Sequence, residues 1–421
     1  MTSQPHTPGT PPPGCPAHPG AVPVYMPRFQ RDPSQMYRDM RREHGTVAPI
    51  LLDGDIPAWL VLGYREVHYV TANSDLFARD SRRWNMWEHI PADWPLMPYV
   101  GYQPSLMFAE GAEHQRRAGA ISEFLSGVDQ LELHKYSEKV ADEMIDAFVG
   151  RGEAELMAEY ATQVPIRVMA MLFGFDEDEI PHLVRDVAAS LEDVEPMAAY
   201  QRVVERMAAL LQRSRTNPGH DLPSHLLAHP AGLTDDEITK DLLVVLAAAH
   251  QPTANWIGNT LRLMLTDPRF AVTLSGGRRS VGQALNEVLW EDTPTQNFIG
   301  RWATRNTQLG GQRIQAGDLL VLSFAAANTD PQVRPDFSEG SRGNQAHMSF
   351  SHGEHSCLYP GPEIAEIIAR ATVEVLLDRL PDVALAVEPE EVRWQASLWM
   401  RGPVSVPVEF SPAYVAGDAG F

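Results

Sequence analysis

The 421 residues are 44% hydrophobic and 21% charged, an ordinary globular composition with ample material for a large core. Fifty-five acidic residues against 34 basic ones leave a formal net charge of −21. Such a surface repels phosphate backbones and anionic lipid, which sets aside nucleic-acid and membrane-surface roles.

The first 24 residues are crowded with Pro, Gly, Thr and His and cannot bury a core, so the sequence predicts a disordered tail there. It has neither the basic nor the apolar region of a signal peptide. Residues 33–43 read as a helix. Two strand-like runs follow, Val47–Leu52 and Ala58–Leu62, parted by the turn signal Asp53-Gly54-Asp55. From Arg65 onward the chain is mainly helical, with amphipathic stretches at Leu131–Val149, Ile166–Leu172, Met197–Arg213 and Ile364–Arg379. Without internal repeats or Gly/Ser linkers, residues 25–412 read as one mostly helical domain with a minor sheet, ahead of a short tail at 413–421.

The best-defined helix starts at Thr234, which with Glu237 makes a capping box. Its apolar run continues to Asp267-Pro268, about 30 residues, enough to cross a domain. A helix apolar on most sides belongs at the centre of a fold. Gln251-Pro252-Thr253 interrupts it midway, where proline ordinarily costs about 3 kcal/mol.

Cysteine usage is sparse: Cys15 lies in the Pro-rich tail and Cys357 in HMSFSHGEHSCLYPGPEIAE, so no disulfide framework exists and a reducing cytoplasm is expected. No run reaches the roughly 20 apolar residues that span a bilayer. Only three of the basic residues are lysines, the codon bias of a G+C-rich, bacterial genome. Three readings of Cys357 stand side by side. One is a buried structural thiol. Another is zinc held by His352, His355 and Cys357, although a fourth ligand at usual spacing is missing. The third is a thiolate ligand to haem, which wants a tight Gly-containing loop followed by a helix whose positive end favours the anion.

Phe350, Gly353, His355 and Cys357 match F-x-x-G-x-H-x-C, and the segment resembles the haem loop of the cytochrome P450 superfamily. PAWLVLGYREVHYVTANSDLFARD and RWATRNTQLGGQRIQAGDLLVLSFAAANTDP are similar to other parts of that family, so the resemblance runs over residues 25–412. It implies the family's helix-rich triangular prism enclosing haem b, with Cys357 as axial ligand to the iron and Phe350 beside the sulfur. His114, Arg301 and His355 are implied as partners of the haem propionates. The implied activity is that of a bacterial monooxygenase acting on a small organic substrate, with electrons from a ferredoxin and a reductase.

Three departures from the family pattern touch the chemistry. The E-x-x-R pair reads Glu287-Val288-Leu289-Trp290, as in a small subset of bacterial members; Arg342 is the expected partner of Glu287, with Trp290 filling the guanidinium's volume. The acid–Thr pair that protonates dioxygen is replaced by Gln251 and Pro252, leaving Thr253 or, second, His250 to route protons through water. Pro252 has no N–H, which frees the Ala248 carbonyl. Third, Tyr359 stands where a Gly is usual. Two further functions therefore accompany the first: peroxide-driven or oxidative-coupling chemistry, and a haem protein of low turnover used for sensing or partner assembly. Trp84, Trp87, Trp94, Tyr99 and Tyr102 precede His114 and read either as lining for a bulky or aromatic ligand or as packing at the haem edge.

Overall fold

A computed structural model describes residues 20–26, 32–190, 196–271, 279–333 and 344–413. Its principal helices are α1 (Pro33–His44), α2 (Tyr64–Ala72), α3 (Gly111–Ser126), α4 (Gln130–Asp146), α5 (Gln163–Phe173), α6 (Pro196–Thr216), α7 (Leu222–Ala228), α8 (Asp235–Thr266), α9 (Arg279–Glu291) and α10 (Gly361–Arg379). A six-stranded sheet combines β1 (Val22–Pro23), β2 (Val47–Leu52), β3 (Ile56–Val61), β4 (Phe77–Ala78), β5 (Asn297–Ala303) and β6 (Leu319–Ser323), in the order β1-β2-β3-β6-β5-β4. The fold is thus mainly α with a minor β component, as the sequence predicts. No described helix is long and apolar enough to cross a membrane.

The sheet is mixed, with β3 parallel to β6 and antiparallel to β2. Alternation along each strand divides its side chains between two cores. Ala48, Ile50, Leu60 and Val321 face one side, while Val47, Trp59, Val61 and Leu322 face the other. Because helices or loops cover both faces, β3 is buried along its whole length. Of the tail expected to be disordered up to residue 24, residues 1–19 lie outside the described residues, and its end is corrected: Val22-Pro23 pairs parallel with Ile50-Leu51, and Val24 is buried against the sheet.

α8 is the axis of the helical part and packs on α5, α6, α9 and α10. Thr234 caps it as expected: its hydroxyl accepts from Glu237 N while Glu237 Oε2 accepts from Thr234 N. The interruption expected at Pro252 does not occur. The chain stays helical from Asp235 to Thr266, because the burial of the nine residues that follow Pro252 outweighs the missing hydrogen bond.

One buried ion pair ties α8 to α3. Arg117 Nε and Nη2 donate to the two carboxylate oxygens of Asp241 at 2.7 and 2.6 Å, and both side chains are sealed from water. Asp241 also accepts from Leu106 N at 2.7 Å, and Arg117 Nη2 donates to the Pro104 carbonyl, so the loop before α3 hangs on the same pair. Removing one member of such a pair strands the other charge. Asp241→Ala is expected to lower the unfolding free energy by about 3–5 kcal/mol, measured by urea titration with Glu113→Ala, at the rim, as the near-neutral comparison.

Candidate active site

The cysteine loop is shaped by its glycine and by main-chain hydrogen bonds. Gly353 has φ +76°, and a Cβ there would collide with the Thr71 carbonyl at the end of α2. Cys357 N donates to Phe350 O at 2.9 Å and Ser356 N to Gly353 O at 3.1 Å, closing the turn before α10. The loop's upstream arm is braced from below. Asn328 accepts from Met348 N at 2.6 Å and donates to Leu289 O at 2.9 Å, while Trp290 Nε1 donates to Asn344 O at 3.0 Å. Trp290 is fully buried and meets the His347 ring edge-on at 5.8 Å. Phe350 packs in turn on His347 and on Trp256 of α8. Glu287 takes no part in this bracing within the described residues. It is partly exposed and accepts from Arg269 Nη2 at 2.5 Å; Arg342, its expected partner, lies outside the described residues. Asn328 was not legible as a brace, since nothing in its local sequence ties it to a loop 20 residues on.

Cys357 presents surface to an interior space yet is hemmed in by protein on nearly every side. That enclosure, with Glu363 near, pushes its thiol up to about 12. The sulfur therefore carries its proton at neutral pH unless a metal cation displaces it. A cavity of about 290 Å3 opens beside it, lined among others by His114, Gln115, Glu354, Ser356 and Tyr359. No group of potential metal ligands among the described residues includes Cys357, and His352 instead lies 4.0 Å from the ring of His68. The zinc reading of His352, His355 and Cys357 falls with that.

At one edge of the site positive groups converge without an adequate anion. Arg301, 1% exposed, uses Nη1 on Gly300 O at 2.9 Å, whereas its Nε and Nη2 have no partner among the described residues. A bulge in β5 between Ile299 and Arg301 aims this side chain inward. The same bulge frees the Ile299 and Gly300 carbonyls for Nη1 of Arg79 at 2.9 and 2.8 Å. His114 is buried with Nδ1 unpartnered, 3.8 Å from Glu354, and its ring lies 4.1 Å from that of His355. Burial drives His355 down to about 2 and Arg301 to about 10; for His355 the neighbouring Arg79, Arg301 and His114 add to it. Arg79, buried like Arg301, was not anticipated from sequence.

Opposite the loop, α8 turns one open face inward. Ala247 and Ala248 are exposed and Gln251 and Pro252 half-buried, in a helix whose next nine residues are all buried. Neither expected proton router shares that face. His250 is buried, its Nε2 lies 3.1 Å from the Thr162 carbonyl, and burial lowers its pKa to about 4. It is a satisfied core histidine. Thr253 is likewise buried, a step around the helix from Pro252. The aromatic segment also differs from the pocket lining considered above. Trp84 packs on Trp87 and Trp94 at 5.2 and 5.7 Å, and the indoles of Trp87 and Trp94 donate to Ser81 O and Asp53 O. Tyr102 lies under the Arg82 guanidinium and Tyr99 against Trp399. The three indoles pack on one another, which favours the packing reading for them, while Tyr99 and Tyr102 stay exposed.

A thiol at the head of a helix, an open helix face above it and an edge of unpaired buried cations fit one group: a flat, iron-bearing macrocycle with two carboxylates. The fold and site are those of a haem-thiolate oxidoreductase. No family model matches the chain. It is 28% identical to cytochrome P450 107B1 of Saccharopolyspora erythraea over 90% of this chain and 95% of that protein, and 28% identical to the vitamin D(3) 25-hydroxylase of Pseudonocardia autotrophica over 91% and 95%. Among solved structures, CYP154C4 from a Streptomyces superposes with a TM-score of 0.83 at 24% identity, covering 94% of this chain and all of the other. The myxobacterial CYP267B1 in complex with myristic acid gives 0.77 at 27% identity over 92% and 98%. The chain belongs to the cytochrome P450 superfamily.

Two outcomes follow from these electrostatics. Arg301→Leu removes a charge-assisted partner and should weaken haem retention roughly ten-fold or more, measured as Soret loss during transfer to apomyoglobin; retention equal to the parent protein would remove Arg301 from the cofactor's site. His250 is neutral in the folded chain, whereas the unfolded chain protonates near 6.5. Its share of stability is full above that pH and drains away as pH falls toward 4. His250→Gln, which keeps a donor for Thr162 O, should flatten the loss of unfolding free energy between those values; an unaltered slope would place the titration elsewhere.

Proposed function

We propose that the protein holds haem b between α8 and the cysteine loop and works as a monooxygenase on a small organic substrate. The observation that carries this is the pairing of an inward-facing Cys357 sulfur with buried, unpartnered Arg301 nitrogens at one edge of the same site. When bound, haem supplies the dioxygen chemistry that no side chain here possesses. Cys357 holds the iron as thiolate, the N-terminus of α10 and the loop's turn keeping the sulfur in place. Arg301, Arg79, His114 and His355 bind the propionates, and Phe350 shields the sulfur's flank from water. A ferredoxin-type protein is the proposed electron donor, docking near exposed Tyr359 where a cavity runs from the surface to the cysteine loop.

The inner face of α8 favours a second reading in parallel. Ala247, Ala248, Gln251 and Pro252 include no acid, hydroxyl or imidazole, so water alone would carry protons to that side. Hydrogen peroxide brings its own protons and places no demand on such a relay.

The deciding measurement is the carbon monoxide difference spectrum of the dithionite-reduced protein beside Cys357→Ser. A strongly red-shifted Soret band that the substitution abolishes is expected. A band at the position of a neutral-ligand haem would instead favour a sensing or partner-binding protein, and absence of haem would overturn the proposal.

A further inference from the structure

Tyr359, 68% exposed, lines the cavity of about 290 Å3 that reaches Cys357. A large aromatic ring left in water beside a cavity suits the centre of a protein contact. Carboxylates stand around it. Glu354 is exposed and forms part of the cavity wall. Glu123 is exposed one helical turn along α3 from Gly119, another wall residue. Glu363, exposed in the first turn of α10, is close enough to Cys357 to raise its thiol.

Among the described residues, the cations that would offset these acids are committed elsewhere. Both arginines of α3 are spent on α8, Arg116 on Glu237 and Arg117 on Asp241. Arg370 of α10 pairs with Glu366 at 2.5 Å. His114, 3.8 Å from Glu354, is buried, and that burial lowers its pKa, so it is neutral at pH 7. His229 lies 3.3 Å from Glu123, but its Nδ1 accepts from Ala231 N; the ring is therefore the neutral tautomer and leaves the carboxylate's charge in place. Arg79 and Arg301 are buried and, in the proposed holoprotein, answered by the propionates. α2 touches the loop through the His68–His352 ring pair and carries Arg65 beside Glu66, which cancel. The undescribed residues 334–343 hold two arginines and two acids, which also balance.

We propose that this acidic face docks an iron–sulfur electron carrier whose redox centre is rimmed by lysines and arginines, with Tyr359 at the middle of the contact, and that it turns away carriers with an acidic rim. The inference rests on the reading of Cys357 as the thiolate of a bound haem. In the complex one electron leaves the carrier's reduced cluster and converts ferric haem to ferrous. Charges at the contact act over a few ångströms, whereas at about 0.1 M salt those beyond roughly 10 Å are screened. The face itself, more than the chain's overall charge of −21, therefore decides which carrier approaches productively.

The test uses the haem-loaded full chain and a plant-type ferredoxin in two forms: native, with its acidic surface, and after coupling of its surface carboxylates to ethylenediamine, which makes that surface basic. Each is reduced beforehand and freed of dithionite, and stopped flow follows formation of the ferrous carbon monoxide complex. At low salt the aminated form should react about ten-fold faster than the native one, and the gain should shrink as salt rises to about 0.3 M. Glu354→Lys/Glu363→Lys should lose most of that gain, and Glu123→Lys, which leaves the cysteine loop untouched, should lose part of it. Glu177→Lys/Asp178→Lys, the same change of charge on the loop beyond α5, should keep it. Equal rates for the two forms overturn the inference, as does a gain that the Glu177/Asp178 pair abolishes as fully as the Glu354/Glu363 pair. If dithionite yields the carbon monoxide band but neither ferredoxin does, this inference falls alone; if dithionite yields no band, the haem reading falls with it.

Discussion

Uncompensated buried positive charge governs the architecture around the site. Moving an isolated guanidinium out of water is costly enough that buried charges are almost always paired. Arg79 and Arg301 are both buried, and the nearby carboxylates, Glu110 and Glu354, are too few and too peripheral: Glu110 accepts from the backbone of Arg79 and Asp80 and from Arg83. The Arg79 guanidinium is accommodated on three main-chain carbonyls; Arg301 has only one. What remains is a demand for anions, which the two propionates of the proposed haem would meet. Much of the local fold is then intelligible as the means of holding those cations: a bulge at Gly300 with no room for a side chain beside Leu322, and an α3 that brings His114 against His355.

The second constraint is the anchoring of the cysteine loop, where Trp290 stands in place of the arginine usual in this family. Here neutral groups brace the described part of the loop. Asn328 supplies an acceptor and two donors, Ser349 Oγ donates to Leu289 O, and Trp290 fills the volume while donating to Asn344 O. Replacing ionic contacts by packed neutral ones need not weaken a buried site, because the desolvation cost of the charges disappears with their attraction. Among the described residues Glu287 pairs with Arg269 near the surface beyond α8.

The fold and the cofactor's floor were legible because they rest on local patterns. The capping box, the strand Val47–Leu52 and the F-x-x-G-x-H-x-C loop each carry their information within a few residues. The second strand begins at Ile56 rather than Ala58, since Gly54 and Asp55, both with positive φ, reverse the chain in fewer residues than the turn signal suggested. Arg79 and Asn328 were hidden for a different reason. Arg79 acquires its role from a bulge some 220 positions away, as the separation in its bonds to Ile299 and Gly300 shows. His250 illustrates the reverse error: its place beside Gln251 suggested chemistry, but the 100° step between neighbours on a helix turns it toward Thr162.

Pro252 shows what the centre of α8 gives up and what it keeps. A proline inside a helix removes one hydrogen bond and crowds the preceding turn. The chain tolerates this because Asn255, Trp256 and Asn259 just beyond it are tied to distant segments: Trp256 Nε1 donates to Leu285 O, and Asn259 donates to Asp292 O and Arg401 O. The missing N–H leaves the Ala248 carbonyl without its helical partner, on the face where Ala247 and Ala248 are already open. That carbonyl therefore offers its lone pairs on a face where Ala247, Ala248 and Pro252 carry no side-chain donor. Donors must arrive with the ligand or as water. An acid–alcohol pair would offer both a donor and a proton source; Gln251 and Pro252 supply neither an acid nor a hydroxyl at those two positions, and it is here, more than on the haem loop, that the chain departs from the pattern of the family whose fold it shares.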